Sequence, residues 1–141
     1  LPVGFRVARF ALAGLLLLAG CGTTSIDATG ALVGSWGGPN RKVTASTSEV
    51  FVSLPCMRIR LEGPIQVASD GSFAAIGTVD ATSWLGGVGT PARASGVVVG
   101  NRLILGIEWQ NAQGQWPPDP SVSTLTRGQE VTWPDGRTCL A

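Results

Sequence analysis

The stretch Ala92-Arg-Ala-Ser-Gly-Val-Val-Val99-Gly100-Asn101-Arg102-Leu-Ile-Leu-Gly-Ile-Glu-Trp109 decides the fold. Two β-type runs flank the two residues Gly100-Asn101. Gly and Asn tolerate the positive φ that a two-residue hairpin turn needs, so the runs fold back on each other as antiparallel strands. Leu103, Leu105 and Ile107 recur at every second position, the period of a strand with one buried face. The same grammar extends in both directions.

Towards the N-terminus, Asp70-Gly71 marks a hairpin turn, with Pro64 to Ala68 leading into it and Ser72 to Val79 leaving it. Ala31 to Trp36 and Arg41 to Ala45 read as strands, and Ser46-Thr47-Ser48 turns the chain. Glu49 to Cys56 places Val50, Val52, Leu54 and Cys56 on one face. Met57 to Glu62 continues that run, with Ile59 and Leu61 alternating against Arg58, Arg60 and Glu62. In a straight strand these two apolar sets point to opposite faces, so a bulge or bend is expected near Pro55. Residues 84–91 form a Gly-rich loop. Residues 111–120 contain three prolines that cannot join a ladder, so they form a second loop. Ser121 to Arg127 is a strand, and Val131 to Trp133 with Arg137 to Leu140 makes a final short hairpin. No helical periodicity of useful length occurs after residue 30. The expected fold is all-β, a small antiparallel meander barrel whose closure removes the exposed sheet edges.

The first residues follow another grammar. Arg6 and Arg9 precede an apolar and small run from Phe10 to Gly20, which ends Leu18-Ala19-Gly20-Cys21. The run suits the apolar segment of a signal peptide and is short for a bilayer-spanning helix. Charge, apolar run and Leu-Ala-Gly-Cys in this order resemble bacterial lipoprotein precursors. That resemblance implies cleavage before Cys21 and acylation of its thiol, which places the protein at the cell envelope on a lipid anchor. Acyl chains contribute roughly 0.8 kcal/mol per buried methylene, so two or three hold a protein on a membrane. The expected organisation is a signal peptide at 1–20, a lipidated tether at 21–30 and a barrel domain at 31–141. Gly22 to Gly30 is small and polar, as a tether is.

Composition narrows the chemistry. Loss of Arg6 and Arg9 leaves eight basic side chains against nine acidic ones, so no basic stripe invites nucleic acid. The chain has no His, which excludes Ser-His-Asp and Cys-His mechanisms. Cys56 and Cys139 remain after Cys21 is assigned, and in an exported protein they are expected to form a disulfide. A zinc site lacks further Cys or His ligands. Lys42 is the single lysine and reads as a solvated edge charge. Asp70, Asp119 and Asp135 sit beside Gly or Pro as turn formers. Glu108, on a strand beside Trp109, is the acid with least explanation, and it is expected to be solvent-exposed. No enzyme activity, metal or cofactor is expected.

Gly34-Ser35-Trp36 on the first strand and Thr124-Leu125-Thr126-Arg127-Gly128 on a late one resemble the calycin pattern of lipocalin-like barrels. The resemblance implies that Trp36 plugs one end of the barrel and that Arg127 packs across its indole. Small bacterial lipoproteins of unknown function provide a fuller resemblance. It is carried by Gly34 to Gly38, Cys56, Asp70 to Phe73, Pro91 to Arg93, Thr124 to Gly128 and Cys139-Leu140. It implies a small barrel with a Cys56–Cys139 bridge and no assigned activity. The chain departs from the pattern at Met57-Arg58-Ile59-Arg60. Trp84 and Trp116 lie in the two Gly- and Pro-rich loops, as covers of a small core or as contacts for a ligand or partner. Two functions fit these readings: a non-catalytic interaction or structural module that meets an envelope protein, and a binding protein for a small apolar or glycan ligand. The second requires an apolar cavity beneath Trp84 and Trp116.

Overall fold

A computed structural model describes residues 25–82 and 87–133. They form eight strands: β1 (Gly34–Gly38), β2 (Arg41–Ala45), β3 (Glu49–Leu54), β4 (Met57–Glu62), β5 (Ser72–Thr82), β6 (Pro91–Val99), β7 (Arg102–Trp109) and β8 (Ser121–Arg127). Each strand pairs antiparallel with the next, and β8 pairs back onto β1 through Trp36–Arg127 and Gly37–Thr126, closing a barrel. The described residues contain no helix, in line with the all-β meander barrel expected from the sequence.

Alternation directs the side chains. On β4, Met57, Ile59 and Leu61 point inward while Arg58, Arg60 and Glu62 point out. Across the Gly100-Asn101 turn, Val99 pairs with Arg102 and the register runs unbroken to Ala92–Trp109. Gly100 has φ +58°, the conformation for which glycine carries no Cβ penalty. Trp36, Val52, Ile59, Leu103, Ile107 and Leu125 are fully buried, and strands from the whole circuit contribute to one core.

The reading near Pro55 is corrected. Pro55-Cys56 is not a bulge in a continuing strand but the turn of a tight hairpin, in which Leu54 pairs with Met57. Residues directly opposite in a hairpin share a face, so Leu54 and Met57 both point inward although their spacing is odd. Proline suits the first central turn position, and Cys56 takes the second at φ +63°. The irregularity in this region lies one hairpin later. Arg58 pairs with Ala81 and Ile59 with Val79, so Asp80 is the extra residue of a β-bulge. Its carboxylate accepts both Nε–H and Nη2–H of Arg58 on the outer surface.

Residues 25–33 close one end of the barrel. Ile26 bridges Leu32, and Asp27 Oδ1 accepts from the backbone N–H groups of Thr29 and Ala31 at 2.9 Å. The turn then packs under the barrel: Leu32 N–H donates to the Ile65 carbonyl, and Val67 N–H to that of Gly30. Ser25 to Gly30, read above as part of a tether, is thus folded against the domain. Pro64 to Ala68 crosses the same end, with Gln66 bridging Ala31. Leu32 and Ile65 are buried there beside Trp36. At the opposite end Thr132 forms a parallel bridge with Pro39. Val131 to Trp133 is therefore held by β1's exit, and Arg137 to Leu140, the other half of the expected final hairpin, lies outside the described residues.

Candidate functional site

The structure brings Trp36 and Arg127 together. They are register partners on β1 and β8, and the Arg127 guanidinium carbon lies 5.6 Å from the centroid of the Trp36 ring. Arg127 Nη1–H donates to Ser25 Oγ at 2.8 Å. Gly34 explains the first letter of Gly-x-Trp. It has φ +129°, and a Cβ there would lie 2.9 Å from Arg127 Nη2. Glycine lets the guanidinium pass over the strand to reach the indole. Trp36 is fully buried, and its Nε1–H finds no hydrogen-bond partner among the described residues. An open groove of about 990 Å³ runs beside the pair, bordered by Ser25, Gly34, Thr44, Val98, Asn101 and Arg127.

Trp116 is not over the barrel mouth. Arg93 alternates with the buried Ala92 and Ala94, so its side chain stands on the outer wall. The Arg93 guanidinium carbon lies 4.0 Å from the Trp116 ring centroid, which lays the 111–120 loop down the outside of β6 and β7. The loop is braced by Asn111 Oδ1, which accepts from Gln113 N–H at 3.0 Å and Gln115 N–H at 2.9 Å. Arg93 Nε–H also donates to Glu108 Oε1 at 2.6 Å. Glu108 is the acid without an evident role in the sequence. It is the ion-pair partner of Arg93, and its side chain is 14% exposed, not the freely exposed group expected. Ionic pairing and ring stacking both act on one guanidinium, each worth about 0.5–1 kcal/mol at a solvated site.

Two smaller depressions flank this cluster. One of about 410 Å³ is bordered by Ala74, Ile76, Arg93, Ser95, Gly106 and Glu108. The other, about 330 Å³, lies under the loop between Glu108, Trp109, Asn111, Pro117 and Asp119. Trp109 packs against the core, as its alternation with Leu105 and Ile107 implies. Trp84, the other loop indole, lies outside the described residues.

Cys56 is disulfide-bonded. Cys21 and Cys139, the lipid acceptor and expected bridge partner, lie outside the described residues. Lys42 is exposed on β2, opposite Ser53 on β3. Asp70 Oδ1 accepts from Ser72 N–H at 2.9 Å and Ser72 Oγ–H at 2.6 Å, the turn-forming role expected of it. These donors, the Ser72 hydroxyl foremost, hold the Asp70 carboxyl below its ordinary value. The Thr29 hydroxyl does the same for Asp27. Among the described residues, no three His, Cys, Asp or Glu side chains converge as a metal-binding group would.

The sequence reading missed Arg93 as the partner of both Trp116 and Glu108. Half of that pairing has a signal: the two-residue Gly100-Asn101 turn sets Arg93 directly opposite Glu108. No family model, curated protein or solved structure matches the chain.

Proposed function

We propose that this protein is a lipid-anchored envelope protein whose barrel is a non-catalytic interaction or structural module. The observation that carries the reading is where the side chains go. Each of the eight strands contributes buried apolar side chains to one core, and Trp116 lies on the outer wall against Arg93. An eight-stranded barrel has an interior just wide enough for side chains to fill. A filled barrel leaves its walls and loops to meet a partner. The eight-stranded closed meander and the Trp36–Arg127 contact are consistent with a calycin-like barrel. The lipid anchor rests on Arg6, Arg9, the apolar run and Leu18 to Cys21. The bridge from Cys56 is assigned to Cys139, the cysteine left once Cys21 carries lipid.

The test is native mass spectrometry of the protein extracted from membranes and then incubated with envelope extract. The proposal expects an N-terminal peptide carrying diacylglycerol on Cys21, a Cys56–Cys139 linked peptide and no retained small molecule. A stoichiometric apolar or glycan adduct overturns it in favour of a ligand carrier.

A further inference from the structure

We infer that the closed end of the barrel faces the membrane and that the 111–120 loop is displayed away from it. The inference rests on the reading of Cys21 as the lipid attachment point. Its structural basis is the position of Ser25. That residue is fixed at the closed end: its Oγ accepts from Arg127 Nη1–H, and its carbonyl accepts from Val33 N–H. Arg127 ends β8 beside the Gly100-Asn101 turn, where its own N–H donates to the Asn101 carbonyl. The tips of this end are therefore Ser46 to Ser48, Asp70-Gly71, Gly100-Asn101 and the 27–30 turn.

Chain length then limits the geometry. Four peptide links join Cys21 to Ser25, a reach of at most about 15 Å. A strand of β7's length, tilted by about 40°, places the far loops roughly 20 Å further along the barrel axis. An inverted barrel resting on its 111–120 loop would lift Ser25 beyond the reach of its anchor.

A barrel lying on its β3-to-β7 wall is disfavoured by the ion pairs there, and the exposed Ile104 and Val122 of β7 and β8 report contact of the other wall. Arg58–Asp80, Arg60–Glu49 and Arg93–Glu108 run around β3 to β7 and would lose water against lipid. The closed-end tips are short and mostly uncharged. Nearby charges have both signs: Asp27, Glu62 and Asp70 against Arg102 and Arg127. Attachment and the short reach, not a basic patch, set the orientation.

The experiment uses the lipidated protein extracted from membranes and placed in phosphatidylcholine nanodiscs doped with a gadolinium-chelating lipid. Amide signals are followed by NMR. The inference expects Thr47 and Asn101 signals to be lost and those of Gln113 and Gly114 to be retained. Loss at Gln113 with Thr47 and Asn101 retained overturns it, as does loss along Ile104 and Val122 with Thr47 retained. The mass of the N-terminal peptide separates the two readings. A lipidated Cys21 with the wrong NMR pattern defeats the orientation alone; an unmodified Cys21 defeats the anchor and the orientation with it.

Discussion

Replacing Trp36 tests the closed end most sharply. Trp36 is 0% exposed and carries Arg127 across its ring. Truncation to Ala deletes the largest side chain of the core and leaves a cavity that the closed sheet cannot collapse around, a loss of about 3–5 kcal/mol. Against a total stability of about 5–15 kcal/mol, that brings the domain close to unfolding. Trp36→Phe behaves differently. It retains a ring beneath Arg127 and removes the buried Nε1–H, which has no partner among the described residues. An unsatisfied buried donor costs about 1–3 kcal/mol, so its removal offsets much of the volume lost. The expected loss for Trp36→Phe is therefore below about 1.5 kcal/mol, in the range of tolerated hydrophobic swaps. Urea unfolding followed by far-UV circular dichroism reads both values. A loss below about 1 kcal/mol for Trp36→Ala would refute the packed plug. A Phe variant as unstable as the Ala variant would refute the argument from the indole N–H.

Three further outcomes follow from the same structure. A Cβ on Gly77 would overlap the Arg60 carbonyl oxygen of the neighbouring strand, so Gly77→Ala should lose about 1–3 kcal/mol in the same assay. If Cys56 is bridged to Cys139, Cys139→Ser should lose about 4 kcal/mol and release a maleimide-reactive thiol at Cys56; unchanged stability would contradict the assignment. The carboxyls of Asp27 and Asp70 are held below their ordinary value of 3.8 by the Thr29 and Ser72 hydroxyls. Their contribution is present above that value and lost as pH falls through the lower folded value, so melting temperature should drop in that acid window. The double variant Asp27→Asn, Asp70→Asn should flatten the drop, and an unaltered acid profile would count against these contacts.

The hairpin grammar was legible because turn chemistry and alternation agree. Gly100-Asn101 and the inward Leu103, Leu105 and Ile107 point to one register, and that register is observed. Pro55-Cys56 was hidden because cysteine rarely occupies a positive φ, and an odd-spaced pair of apolar sets suits a bulge as well as a reversal. Ser25 to Gly30 resembled a tether because its residues are small and polar. Their folded state depends on Asp27 binding its own backbone and on long-range bonds near Gly100 and Arg127, which composition does not display. Trp36 and Arg127 were readable as a pair through Gly-x-Trp. The position of Trp116 was not, since a loop indole's direction is set by the cation it stacks on. Arg93 supplies that cation from β6, twenty-three residues before Trp116 in the chain, beyond any local signal.

A barrel filled by its own side chains has no room inside for an apolar guest. Titration with an apolar fluorescent reporter such as N-phenyl-1-naphthylamine tests it most directly, with the folded, oxidised protein held above the reporter concentration. A filled interior gives no saturable rise in fluorescence. A saturable rise with one-to-one stoichiometry, abolished by Leu103→Trp in a variant that still folds, would contradict it and establish an interior ligand site.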